Sequence, residues 1–254
     1  MIKVNRVDEV NYNNFGSKMI IVNQYRYNNA TYIDVYFPEY DCVVKHVEYK
    51  QFKKGWLRCP YEPRTYGKGY IGEGKHKTRE NGELTRQYKI WCAMLQRCYD
   101  PKYLEKYPSY NGCKVEDYLL NFQNFGEWYD DNYYELENER VELDKDILHK
   151  GNKIYSRENC IFVPRRINSL FIKSKNNGIG VRQLSSGRYM AECIIGGDRF
   201  NKSYNSKEEA FQGYKEFKEM KIKEVIDSYK GVIPEPYYSR LKEAMYNYKI
   251  EIND

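Results

Sequence analysis

Short runs in which apolar and polar residues alternate open the chain. The stretches 18–22, 31–37 and 42–47 are β-branched or aromatic, divided by Asn- and Gly-bearing turns. That pattern predicts strands, so residues 1–66 are expected to form a small antiparallel sheet or half-barrel. Between 60 and 83 it dissolves into Pro60, Pro63 and several glycines, and 67–83 reads as an irregular linker. Gly67, Gly69 and Gly72 have the spacing of a dinucleotide fingerprint. They neither follow a convincing strand nor open a convincing helix, and that assignment is rejected. The period then becomes helical. Tyr88, Trp91, Leu95 and Cys98 recur at helical spacing in 84–99, and Leu120, Phe122, Phe125 and Trp128 supply apolar faces in 117–129. These aromatics are assigned to a core rather than to base stacking.

Farther on, 141–172 reads as a short strand, a loop and a helix from about Pro164. Three glycine-punctuated strands follow, beginning at Gly180, Gly187 and Gly197. Ser206 and Glu209 have the spacing of a capping box and open a long amphipathic helix. Gly231 and Pro234 end it. The last twenty or so residues predict a further helix that packs back or frays.

Composition changes this picture little. The 254 residues carry 42 Lys and Arg against 36 Asp and Glu, a formal charge of +6, compatible with a polyanionic partner without requiring one. The 28 Tyr, 10 Phe and 3 Trp supply ample core-forming surface and argue against disorder. No apolar run is long enough to span a bilayer and the N-terminus lacks an apolar signal segment, so a cytoplasmic protein without a membrane partner is expected. The seven cysteines contain no Cys-x-x-Cys pair and are expected to be reduced thiols. Cys98, Cys113 and Cys160 could gather around zinc, but no nearby histidine completes a set. Lys53, Lys54, Trp56 and Arg58 place positive charge beside an aromatic ring. A solvated, lysine-protected edge strand is preferred over a nucleic-acid contact.

The stretch 143–168 carries the chemistry. It sets Asp144, Asp146, Asn159 and Asn168 at intervals suited to one hard divalent cation, which prefers carboxylate and amide oxygens. Beside a phosphodiester, such a cation neutralises developing charge. Trp91, Met94, Arg97 and Cys98, then 110–115, Phe122, Phe125 and Trp128, 143–147, 155–160 and Asn168 together resemble phage-encoded HNH endonuclease-like proteins. The resemblance implies two antiparallel strands and a helix around one metal, Mg²⁺ or Mn²⁺ ahead of Zn²⁺. It places Asp144 and Asn168 as metal ligands, Asn159 as a brace of the catalytic loop, and Asp146 as a ligand or supporting group. One departure stands out: Lys145 occupies the position of the usual general-base histidine. A protonated lysine cannot accept a proton. It serves only if burial lowers its pKa, or by stabilising charge while another group, such as His149, activates water.

The segment 173–231 resembles the ethylene-response-factor type of DNA-binding domain, through Gly180, Val181, Arg182, Gly187, Arg188, Tyr189, Ala191, Glu192, Tyr204 and 208–210. That resemblance implies a sheet entering the major groove, with Arg182, Arg188, Tyr189, Arg199 and Lys202 as contacts. Tyrosines replace the usual tryptophans, so base preferences do not transfer.

The expectation is an α+β protein. It comprises a β-rich module (1–66), a linker (67–83), a ββα-metal core with helices (84–172), a three-stranded sheet packed on a helix (173–231) and a helical tail (232–254). Its expected activity is metal-dependent cleavage of double-stranded DNA, by a monomer, in a phage-infected bacterial host. The alternative is an HNH-derived DNA-binding or regulatory protein without catalysis.

Overall fold

Alternation along the N-terminal strands does what pleating requires: one side chain in two turns inward. In the computed structural model, which describes residues 4–171, 180–195 and 197–251, β1 (Val10–Tyr12), β2 (Lys18–Tyr27), β3 (Ala30–Phe37) and β4 (Cys42–Glu48) form an antiparallel meander. Met19, Ile21, Ile33, Val35 and Phe37 point inward and bury against Phe52, Leu57 and Cys59. Only β1 escapes the sequence pattern, being three residues long and largely exposed. Phe52 belongs to α1 (Tyr49–Lys53), so Lys53 and Lys54 close a short helix rather than lie on an edge strand.

The chain divides into two compact units, 1–108 with 117–126, and 109–116 with 127–254. This division cuts across the expected borders. The hairpin β5 (Arg79–Glu80) and β6 (Glu83–Leu84), α2 (Arg86–Tyr99), α3 (Pro101–Lys106), α4 (Asp117–Leu120) and the first turns of α5 (Phe122–Asn132) share the first unit with the meander. The α2 helix starts where Thr85 accepts the Tyr88 N–H, and it buries Trp91, Met94, Leu95 and Cys98. The stretch 67–83 is packed structure rather than a free linker. Tyr70 exchanges backbone hydrogen bonds with Leu120 and Phe122, and a Cβ at Gly69 would fall 2.4 Å from Leu95.

In the second unit β7 (Lys114–Val115) runs parallel to β9 (Ile154–Tyr155). The pair β8 (Val141–Asp144) and β10 (Ile161–Pro164) is antiparallel and leads directly into α6 (Arg165–Ser169). The sheet β11 (Val181–Gln183), β12 (Tyr189–Ile195) and β13 (Asp198–Tyr204) packs on α7 (Lys207–Asp227). Both hydrogen bonds of the Ser206–Glu209 capping box are made. The tail helix α8 (Tyr237–Asn247) packs back on α7, burying Tyr238, Leu241 and Met245. The fold is α+β as expected. The border expected at 172–173 lies outside the described residues.

Candidate metal centre and nucleic-acid face

Strand β8 reads Val-Glu-Leu-Asp, and its pleat buries Val141 and Leu143 while leaving Glu142 and Asp144 together on the more open side. Helix α6 returns over that side, and Asn168 Nδ2 donates to Glu142 Oε2 at 2.9 Å. Asp144 and Asn168, remote in sequence, therefore reach one face of the β8–β10–α6 arrangement. Glu142 was not anticipated. Its signal was present all the same, because a residue two before Asp144 in an alternating strand must share its face.

Asp144 holds its own loop. Its Oδ1 accepts the backbone N–H groups of Asp146 and Ile147, each at 2.8 Å. Burial, then the charge of Asp146, pushes its carboxyl up to about 6, against the downward pull of those two N–H donors. Such a carboxyl gains most from a neighbouring cation.

Lys145 turns inward and is only 6% exposed. Its Nζ donates to Asp146 Oδ2 at 2.9 Å and to the Asn152 carbonyl at 3.0 Å. Burial acts to lower its pKa, but the hydrogen bond and charge of Asp146, with smaller contributions from Cys113 and Asp144, leave it above the ordinary lysine value. The ammonium is thus a clamp on the loop, and the proton-accepting lysine that burial alone would give does not arise. Asn159 braces the same loop through Asn152, whose Nδ2 donates to the Lys145 carbonyl at 2.7 Å. His149 is exposed and lines a cavity of about 470 Å³ with Arg240, Glu243 and Tyr248. Neither Asp144 nor Asn168 lines it.

Among the described residues no three His, Cys, Asp or Glu side chains converge as a metal cage. The side chains at β8 and α6 are of the oxygen-donor kind that a hard cation takes. Asn168 has committed its amide nitrogen to Glu142, which leaves its oxygen outside that contact. Among the described residues Cys98, Cys113 and Cys160 are buried and form no disulfide, and they are not part of any group of three metal-ligating side chains.

The register of the C-terminal sheet sorts the expected DNA contacts. Ala191 and Ile195 are buried on the α7 side, so Met190, Glu192 and Ile194 face away from the helix, Ile194 being 67% exposed. Arg182 pairs with Met190 and Arg199 with Ile194, which puts both on the open face. Arg188 reaches the Ser203 carbonyl there at 3.1 Å. Arg199 forms an ion pair with Glu192 at 2.8 Å. Tyr189 and Lys202 differ from expectation. They share the side of Tyr204 and Ala191, their cross-strand partners, and so alternate towards α7.

Comparisons with protein-family models, curated proteins and solved structures find no match for this chain. Among the described residues no helix is long and apolar enough to cross a membrane.

Proposed function

We propose that this protein is a metal-dependent DNA endonuclease of HNH type that nicks double-stranded DNA. The reading is supported by the Asn168–Glu142 hydrogen bond, which brings α6 over the side of β8 that also bears Asp144. The arginine-bearing face of the β11–β13 sheet, in the same unit, supports it. Asp144 and Asn168 would hold Mg²⁺ or Mn²⁺ by their oxygens, with Glu142 orienting the amide. The ion supplies charge neutralisation at the scissile phosphate and its departing oxygen. Asp146 and Lys145 keep the loop that presents Asp144 in one conformation. Arg182 and Arg188 would engage base edges or phosphates. One such site in a monomer breaks one strand.

The deciding experiment incubates purified protein with supercoiled plasmid in Mg²⁺ or Mn²⁺. Open circles should accumulate, should not form with chelator, and should vanish for Asp144→Ala. Equal activity of wild type and variant refutes the proposal.

A second reading has its own support. Lys145 is clamped as an ammonium, and His149 lines a cavity to which Asp144 does not contribute. A DNA-binding protein without catalysis then follows. It binds duplex DNA in a salt-sensitive manner and leaves plasmid intact with every divalent metal.

A further inference from the structure

Large aromatic rings are normally turned inward, because exposing them forfeits their burial. Around α1 and the β1–β2 turn the first unit does the opposite. Tyr12 is 58%, Phe15 58% and Trp56 59% exposed. They flank a close contact, in which the Asn14 N–H donates to the Gly55 carbonyl at 2.9 Å. Gly55 has φ +67°, and a Cβ there would stand 2.7 Å from Asn14 Oδ1 and 3.0 Å from the Tyr12 carbonyl. Only glycine lets the two segments meet so closely.

The contact is anchored from beneath. Buried Glu62 accepts from Asn13 Nδ2 and Ser17 Oγ and pairs with Arg58 at 3.0 Å. Asn11 Nδ2 donates to the Phe52 carbonyl at 2.8 Å. The rings therefore stand on a braced support rather than on a loose loop. Two of the three carry a cation over the ring: Lys54 Nζ lies 4.2 Å from the Trp56 ring centroid, and the Arg58 guanidinium 3.9 Å from that of Phe15. The contributing segments, 10–20 and 49–61, contain Lys18, Lys50, Lys53 and Lys54, while the charge of Arg58 is met by Glu62 beneath.

We infer that this platform binds unpaired bases of single-stranded nucleic acid. Exposed rings stack bases of any identity, and the exposed Lys50, Lys53 and Lys54 meet the phosphates between them. A duplex keeps its base faces covered and would use only the cations. An acidic polypeptide would use the cations and have less need of three rings. The inference concerns the first unit and does not depend on the metal centre of the second.

The test titrates full-length protein, in chelator and low salt, with an oligothymidylate of about fifteen nucleotides. Trp91 and Trp128 are buried, so quenching of the accessible tryptophan reports on Trp56. The strand should quench it, whereas an abasic strand of equal length and polyglutamate should not. Read by the fluorescence anisotropy of a fluorescein-labelled strand, since these variants lack the reporter ring, Trp56→Ala with Phe15→Ala should weaken binding roughly a hundredfold, about tenfold per ring. Trp56→Phe should keep most of the affinity. Lys53→Glu with Lys54→Glu should flatten the dependence of log K on log salt. Arg182→Ala with Arg188→Ala should leave the quenching unchanged, which separates this surface from the sheet. Unchanged affinity in the double aromatic variant overturns the inference, as does equal binding of the abasic strand or of polyglutamate.

Discussion

At Asp144 a single carboxyl carries opposing demands. Its folded pKa of about 6 lies above the ordinary 3.8, so the folded protein binds the proton more tightly than the unfolded chain does. Its contribution to stability is therefore complete below about pH 4 and is lost as pH rises through about 6, for a total of roughly 2–3 kcal/mol. Asp144→Asn keeps an oxygen for the Asp146 and Ile147 N–H groups while removing the charge. In urea melts at pH 8 without metal, this variant should be more stable than wild type by about 1–2 kcal/mol. Equal or lower stability would mean that the charge is not penalised there. At Glu62 the argument is one of contacts: its carboxylate answers three buried or half-buried partners, Asn13, Ser17 and Arg58. Glu62→Ala leaves them unmatched and should cost about 3 kcal/mol, read from the same melts.

The elements show where local pattern suffices. The strands of the meander and the α7 cap follow from alternation and from Ser206 with Glu209, because neighbours within a few residues decide them. The packing of Tyr70 within 67–83 was illegible, because it rests on hydrogen bonds with Leu120 and Phe122, some fifty positions away. Glu142 was overlooked although its spacing from Asp144 was visible, and the inward turn of Lys145 depends on Asn152 and Asp146 closing around it. Strand register, not composition, divides Arg182 and Arg199 from Tyr189 and Lys202. The α7–sheet junction offers its own test. A Cβ at Gly213 would stand 2.1 Å from the Tyr204 hydroxyl. Alanine gains about 1 kcal/mol in helix propensity there, but the clash should outweigh it by about 1–3 kcal/mol. Gly213→Ala should lower the melting temperature, and adding Tyr204→Phe should recover part of the loss.

At the scale of the whole molecule, charge and accessibility matter more than any one contact. The net +6 is modest, so DNA affinity must come from local concentrations of cations. Replacing Arg182 and Arg188 together by alanine should reduce the salt slope of duplex binding by about 2 if both meet phosphate, or relax sequence preference if they meet bases. Filter binding across a salt series distinguishes these outcomes, and an unchanged slope and preference would return both arginines to plain surface charge. The buried thiols have a practical consequence. Cys42 and Cys59 lie in the core of the first unit and Cys160 in that of the second, and burial raises all three pKa values, that of Cys59 to about 12. Neither sheltered sulfur nor its scarce thiolate can meet an alkylating reagent until the surrounding fold parts. Each half of the chain thus has a natural clock for its own breathing, and mass spectrometry after timed exposure to iodoacetamide would tell how often each half opens.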